Sequence, residues 1–133
     1  MEYLSGLNAF FGYFIAGIVA ISIFKVIYAA ITPYDEWGLI KANNSAAAIG
    51  LGGALLGYTI ALASAAINSI TFTDFIVWAT IAMLAQLLAF ALVRFVLLKE
   101  IVSNIENNHL ASASVLASIN LSVGILNAAC MSY

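Results

Sequence analysis

The side chains that could do chemistry in this chain are few, and their spacing argues against most of what they could do. His109 and Cys130 are its single histidine and single cysteine. An imidazole beside a thiol makes an activated nucleophile. These two bracket one apolar stretch, and a continuous helix over that stretch holds them about 30 Å apart. One His and one Cys also fall short of the four ligands of a zinc site. Asp35 and Glu36 are adjacent, and helix neighbours do not share a face, so they make a poor carboxylate pair. No phosphate-binding loop, nucleophile elbow, metalloprotease or dinucleotide fingerprint occurs. The chain is read as non-enzymatic, with no catalytic residue, no cofactor and no metal.

Polar residues inside apolar stretches are the more pointed signal. Lys25 and Arg94 lie within such stretches, and charges in that position mark functional sites unless they snorkel to headgroups. With Lys41 and Lys99 they could form an anion or lipid-headgroup contact. Gln86, Asn120 and Asn127 are amides that need hydrogen-bond partners in hydrocarbon. They serve either as ties between helices or as a polar lining for a solute.

The elements that hold these residues follow from composition. The chain is 65% hydrophobic and 8% charged over 133 residues, against about half and a quarter in soluble domains. Residues 3–24, 42–73, 75–93 and 107–133 carry no formal charge. A bilayer core takes about 20 apolar helical residues, so the pattern predicts membrane-spanning helices over about 6–31, 45–68, 74–98 and 109–131. The first is too long, and lacks the basic start, for a cleaved signal peptide. Net charge is −2, and nothing clusters Lys and Arg for nucleic acid.

The bases Lys25, Lys41, Arg94 and Lys99 all lie in or beside the 1–2 and 3–4 connections. The positive-inside rule makes those connections cytoplasmic and both termini periplasmic. Tyr34, Trp37 and Trp78 suit the headgroup layer. Thr32-Pro33-Tyr34-Asp35 predicts a short surface helix over 33–41, with Thr32 as N-cap and Pro33 in its first turn. Asp74 is predicted to cap the third span.

A weak internal repeat is visible. Asn43-Asn44 precedes the second span and Asn107-Asn108 the fourth, and the same shift of 64 pairs Ala47 with Ala111, Leu62 with Leu126 and Ala65 with Ala129. The fold class expected is all-α: an integral membrane four-helix bundle of two tandem parallel hairpins, about 1–68 and 69–133, in a single transmembrane domain. Asn44 and Asn108 are the expected N-caps.

Ile31-Thr32-Pro33-Tyr34-Asp35-Glu36-Trp37, Leu39-Ile40-Lys41, Asn43-Asn44, Leu55-Leu56-Gly57-Tyr58, Ser64-Ala65-Ala66-Ile67-Asn68 and Asn127-Ala128-Ala129-Cys130-Met131 carry a resemblance. Across nearly its whole length the chain resembles the YjfL-like bacterial inner-membrane proteins (domain of unknown function 350). The resemblance implies a bacterial inner membrane, four spans and a tandem two-helix repeat. It brings no activity and no site residues.

On the second span, Ala46, Gly50, Gly53, Gly57, Ala61 and Ser64 fall on one face. Small residues there let helix backbones approach closely in lipid. The seam packs within the chain or between copies, or it borders a narrow cavity. The fourth span has a matching face of Ala113, Ala117, Asn120, Gly124 and Asn127. The reading that follows is a membrane scaffold or partner subunit that packs through the helix 2 seam, self-associates in the lipid bilayer, and presents its connections to a cytoplasmic or membrane protein. The second reading is an oligomeric small channel or transporter component, with the amides as lining.

Overall fold

The computed structural model describes residues 2–32, 35–97 and 100–131. Among these, the chain is all-helical: α1 Glu2–Ile31, α2 Glu36–Lys41, α3 Ser45–Asn68, α4 Phe72–Leu92 running into a π-helical turn at Val93–Leu97, α5 Ile101–Glu106 and α6 Leu110–Cys130. Four stretches are long and apolar enough to cross a membrane: Tyr3–Ile31, Ser45–Asn68, Phe72–Val96 and Leu110–Cys130. In hydrocarbon a helix satisfies its own backbone, which is why apolar stretches of this length take that form.

Several boundaries differ from the expected ones, each for a local reason. The first span starts earlier, at Glu2. The third starts at Phe72, because Thr71 and not Asp74 is its N-cap: the Thr71 hydroxyl accepts from the Asp74 N–H, and the Asp74 carboxylate accepts from the Ile70 N–H. The surface helix starts at Glu36, capped by Asp35, whose carboxylate accepts from the Gly38 N–H at 3.2 Å. Thr32 does not cap it; its hydroxyl lies 3.0 Å from the Ala29 carbonyl oxygen and 3.3 Å from Glu36 Oε1. Pro33, Tyr34 and Lys99 lie outside the described residues. The helix α5 has no counterpart among the expected elements.

The two connections end in the same junction. Each short helix closes on an asparagine in the left-handed region, Asn43 at φ 67° and Asn108 at φ 59°, a conformation asparagine tolerates better than most residues. The N–H of Asn43 bonds to Ile40 O and that of Asn44 to Leu39 O. Likewise Asn108 N bonds to Ile105 O and His109 N to Asn104 O. This is the Schellman pattern. Asn43 and Asn108 thus hold matching places in the two junctions, whereas a shift of 64 sets Asn43 against Asn107 and Asn44 against Asn108. Asn108 is not an N-cap; His109 takes that position, without a side-chain cap bond.

Freed from its own helix, Asn108 caps another. Its Oδ1 accepts from the Ala46 N–H at 2.9 Å, while Asn44 Oδ1 accepts from the Ala47 N–H at 2.9 Å. Asn44 Nδ2 in turn donates to Ile105 O at 3.0 Å. The first turn of α3 is thus capped by one asparagine from each connection, and the two connections form one layer at one end of the bundle.

The core lies among α3, α4 and α6, with the most extensive contact between α3 and α6. Glycine makes that contact possible. A Cβ on Gly53 would sit 2.5 Å from Ala117 Cα, and one on Gly124 would sit 2.5 Å from Gly57 Cα. The first span, α1, stands to one side. Its attachment is aromatic: Phe24 stacks on Tyr58 at 4.7 Å, Tyr28 meets Phe90 edge-on at 5.2 Å, and Tyr13 meets Phe75 at 5.2 Å. Most of its other large apolar side chains are exposed.

The seam generates a prediction. Gly57→Ala forces a methyl group into the Asn120 carbonyl and should destabilise the fold by about 1–3 kcal/mol. Gly52→Ala, on the same helix with nothing within 4 Å of its added Cβ, should leave stability unchanged or slightly raised. Thermal unfolding followed by circular dichroism in detergent separates the two.

Candidate functional site

The seam residues of α3 turn toward α6 of the same chain. Gly50 lies against Leu116, Gly53 against Ala117, and Gly57 against Asn120 and Gly124. Ala46 and Ala61 are buried, and the Ser64 hydroxyl donates to Ala128 O at 2.7 Å. The seam therefore has its partner within the chain, and the idea that it packs against an outside subunit is corrected on that ground.

Two polar sites remain, one inside the bundle and one at its capped end. Inside, Gln86 Nε2 on α4 donates to the backbone carbonyl of Asn120 on α6 at 3.1 Å. Gly57 makes this reach possible, since a Cβ there would meet Gln86 Nε2 at 2.8 Å. One level along, Asn127 Nδ2 donates to Ala82 O at 3.1 Å, and Tyr58 Oη donates to Ala79 O at 3.0 Å. Two of the three predicted amides, Gln86 and Asn127, thus tie α6 to α4 through backbone carbonyls, and Asn120 contributes only its backbone. Gln86 and Asn120 are fully buried, and Gln86 Oε1, Asn120 Nδ2 and Asn120 Oδ1 have no partner among the described residues. Amides hydrogen-bond but do not titrate near neutral pH, so this layer can bind or orient a polar group and cannot relay a proton by itself.

At the capped end, Lys25 extends from α1 toward α2, and its Nζ lies 4.5 Å above the Trp37 ring. Arg94, in the π-helical turn, lies over the ring of its neighbour Phe95 at 4.9 Å. Both bases are half-buried, and Lys41 is exposed at the end of α2. Lys99 falls outside the described residues. Lys25 helps to line a cavity of about 80 Å³ with Ala29, Asp35, Glu36, Trp37 and Leu51.

Glu36 is the residue that sequence reasoning missed. Treated as half of an exposed acidic pair, it is in fact buried, while Asp35 is exposed. The signal was available in the helix geometry: if Asp35 caps α2, then Glu36 begins a helix whose first turn faces back onto the end of α1. Its Oε1 pairs with the Thr32 hydroxyl, and its Oε2 has no partner among the described residues. Burial pushes the carboxyl up from 4.5 to about 7, against the opposing pull of Thr32 and the Lys25 charge. His109 caps α6 at one end and Cys130 closes it at the other. Among the described residues no three of His, Cys, Asp and Glu converge as a metal cluster would require.

The raised value at Glu36 fixes the sign of a pH dependence. Between 4.5 and about 7, the folded chain holds a proton that the unfolded chain has released. Stability therefore falls as pH rises through that window and levels off above it. The fall should be about 3 kcal/mol at most. Unfolding midpoints measured from pH 4.5 to 8 should show this slope, and Glu36→Gln should remove most of it.

Comparison with known proteins agrees with this architecture. UPF0719 inner membrane protein YjfL of Escherichia coli strain K12 is 44% identical to the chain over 133 residues, covering 100% of each protein. The protein of the same description from Escherichia coli O157:H7 matches at the same identity and coverage. No solved structure matches the chain. With four apolar helices and full-length identity to inner-membrane proteins, the chain is a multi-pass inner-membrane protein. The family model described as Domain of Unknown Function (DUF350) covers residues 2–131, and the chain belongs to that family.

Proposed function

We propose that the chain is a non-enzymatic membrane component, a scaffold or partner subunit, built from two tandem parallel hairpins. Its termini face the periplasm, and its two connections form a cytoplasmic platform. The observation that carries this reading is the asparagine layer. Asn44 and Asn108 bind the α2 and α5 connections to each other and to the start of α3, joining the two short helices in one surface. The matching left-handed junctions at Asn43 and Asn108 support the tandem repeat. In their register Ala46 pairs with Ala111, Leu51 with Leu116, Leu56 with Leu121 and Ile60 with Ile125.

Since the α3 seam is closed within the chain, self-association would run through α1, the least buried of the four spans. Phe10, Phe14, Ile18 and Val26 lie exposed along it, a face that would meet a second helix through dispersion contacts.

The channel reading has one observation in its favour, the unpartnered amide atoms of Gln86 and Asn120. Those atoms are buried among helices of one chain, so a pore formed between chains would not reach them.

Two measurements test the proposal. A membrane-impermeant maleimide should label Cys130, an exposed free thiol, in right-side-out spheroplasts and not in inverted vesicles; the reverse would overturn the orientation. Purified protein in proteoliposomes under an imposed potential should carry no ion current above empty liposomes. A current abolished by Asn120→Leu would replace the scaffold reading with a conducting one.

A further inference from the structure

The cavity at the capped end combines features that a packing defect does not need. It is small, about 80 Å³, and lies where α1 leaves its apolar stretch and meets α2 and α3. That is the depth of the headgroup layer, where Trp37 also sits half exposed. Its lining carries both signs of charge: the Lys25 ammonium and the Asp35 and Glu36 carboxyls. Asp35 is engaged in capping α2. Glu36 is only 4% exposed, and its Oε2 has no partner among the described residues. Lys25 is turned onto the Trp37 ring, so its charge stays beside the cavity.

A buried carboxyl oxygen without a donor is costly, and such groups are normally satisfied by water or a ligand. A ligand that fits here must bring a compact donor for Glu36 and an anion for Lys25, which means a zwitterion. Among headgroups at this depth, an ethanolamine ester of phosphate has both. Its primary ammonium offers three N–H donors, whereas a trimethylammonium offers none, and a glycerol headgroup has no cation.

We propose that this cavity is a binding site for the headgroup of phosphatidylethanolamine, with the ammonium donating to Glu36 and the phosphate held against Lys25. The cavity volume takes the aminoethyl end and leaves the phosphate at its mouth. The Trp37 ring closes one wall and holds the Lys25 ammonium by a cation–π contact. The site is independent of whether the chain acts as a scaffold, because it concerns the lipid that surrounds α1 and α2 in either case. Burial keeps the Glu36 carboxyl up at about 7, and an ammonium opposite it would lower that value.

The test uses the full chain in nanodiscs made from equal parts of phosphatidylethanolamine, phosphatidylcholine and phosphatidylglycerol. Native mass spectrometry reads which lipid stays with the protein after the disc is stripped. Retention of phosphatidylethanolamine about tenfold above the other two is expected, the discrimination of one charge-assisted hydrogen bond. Glu36→Gln should abolish that preference, and Lys25→Met, which removes the phosphate contact, should bring the retained phosphatidylethanolamine down about tenfold, while Glu106→Gln, an exposed acid at the end of α5, should change neither. If Glu36→Gln fails to fold, the loss of retained phosphatidylethanolamine in Lys25→Met decides. Equal retention of the three lipids by the native chain would overturn the site, as would a preference that survives Glu36→Gln or a retention that Lys25→Met leaves unchanged.

Discussion

The close approach of α3 to α6 governs the rest of this structure. In water, helices are driven together by removing apolar surface from solvent. In lipid that drive is absent, and helices associate through dispersion contacts, hydrogen bonds and the fit of small residues. Gly57 and Gly124 bring two backbones into direct contact, and Gly53 rests on Ala117. At that spacing a side-chain amide on the third helix can reach a backbone carbonyl on the second, which is the bond from Gln86 to Asn120. The polar tie is therefore a consequence of the glycine seam. Without the seam, Gln86 would lie in hydrocarbon with no acceptor in range.

The capped end solves a different problem. A helix start leaves its first N–H groups without intrahelical acceptors, and α3 begins at the edge of the apolar layer. Two asparagines from distant parts of the chain, Asn44 and Asn108, fill that need together. Because one of them comes from the second connection, the cap also fixes how the two halves meet. The left-handed backbone at Asn108 places its side chain on α3 and not on its own helix. A residue fit to be a cap in one half serves as a clasp for the other.

The spans were legible because their signal is coarse: long runs without charge, bounded by polar residues. The small face of α3 was legible as a face, since helical spacing alone defines it, but its partner was not. Spacing cannot say whether a glycine stripe meets a helix of the same chain or of another copy. The doubled Asn-Asn steps were legible as a pattern at a shift of 64, but the matching left-handed backbone falls on Asn43 and Asn108, a shift of 65 that only backbone conformation displays. The helix α5 escaped because Ile101–Glu106 is short and flanked by charge, so it reads as a loop. Glu36 escaped because adjacency to Asp35 suggested shared exposure, whereas successive helix positions point in different directions.

The distribution of polar groups bounds what this fold can respond to. The buried layer of α3, α4 and α6 contains amides and a hydroxyl, which carry no charge at any physiological pH. A membrane potential does its largest work on net charges, and none is found in that layer among the described residues. Lys25, Glu36 and Arg94 lie toward the capped end, where the apolar layer gives way to headgroups, while Asp74 stands at the opposite end in the first turn of α4. Glu36, with its carboxyl raised to about 7, is poised to change charge within the physiological range. A change of charge at Glu36 therefore acts at the capped end, beside the connections that Asn44 and Asn108 hold together.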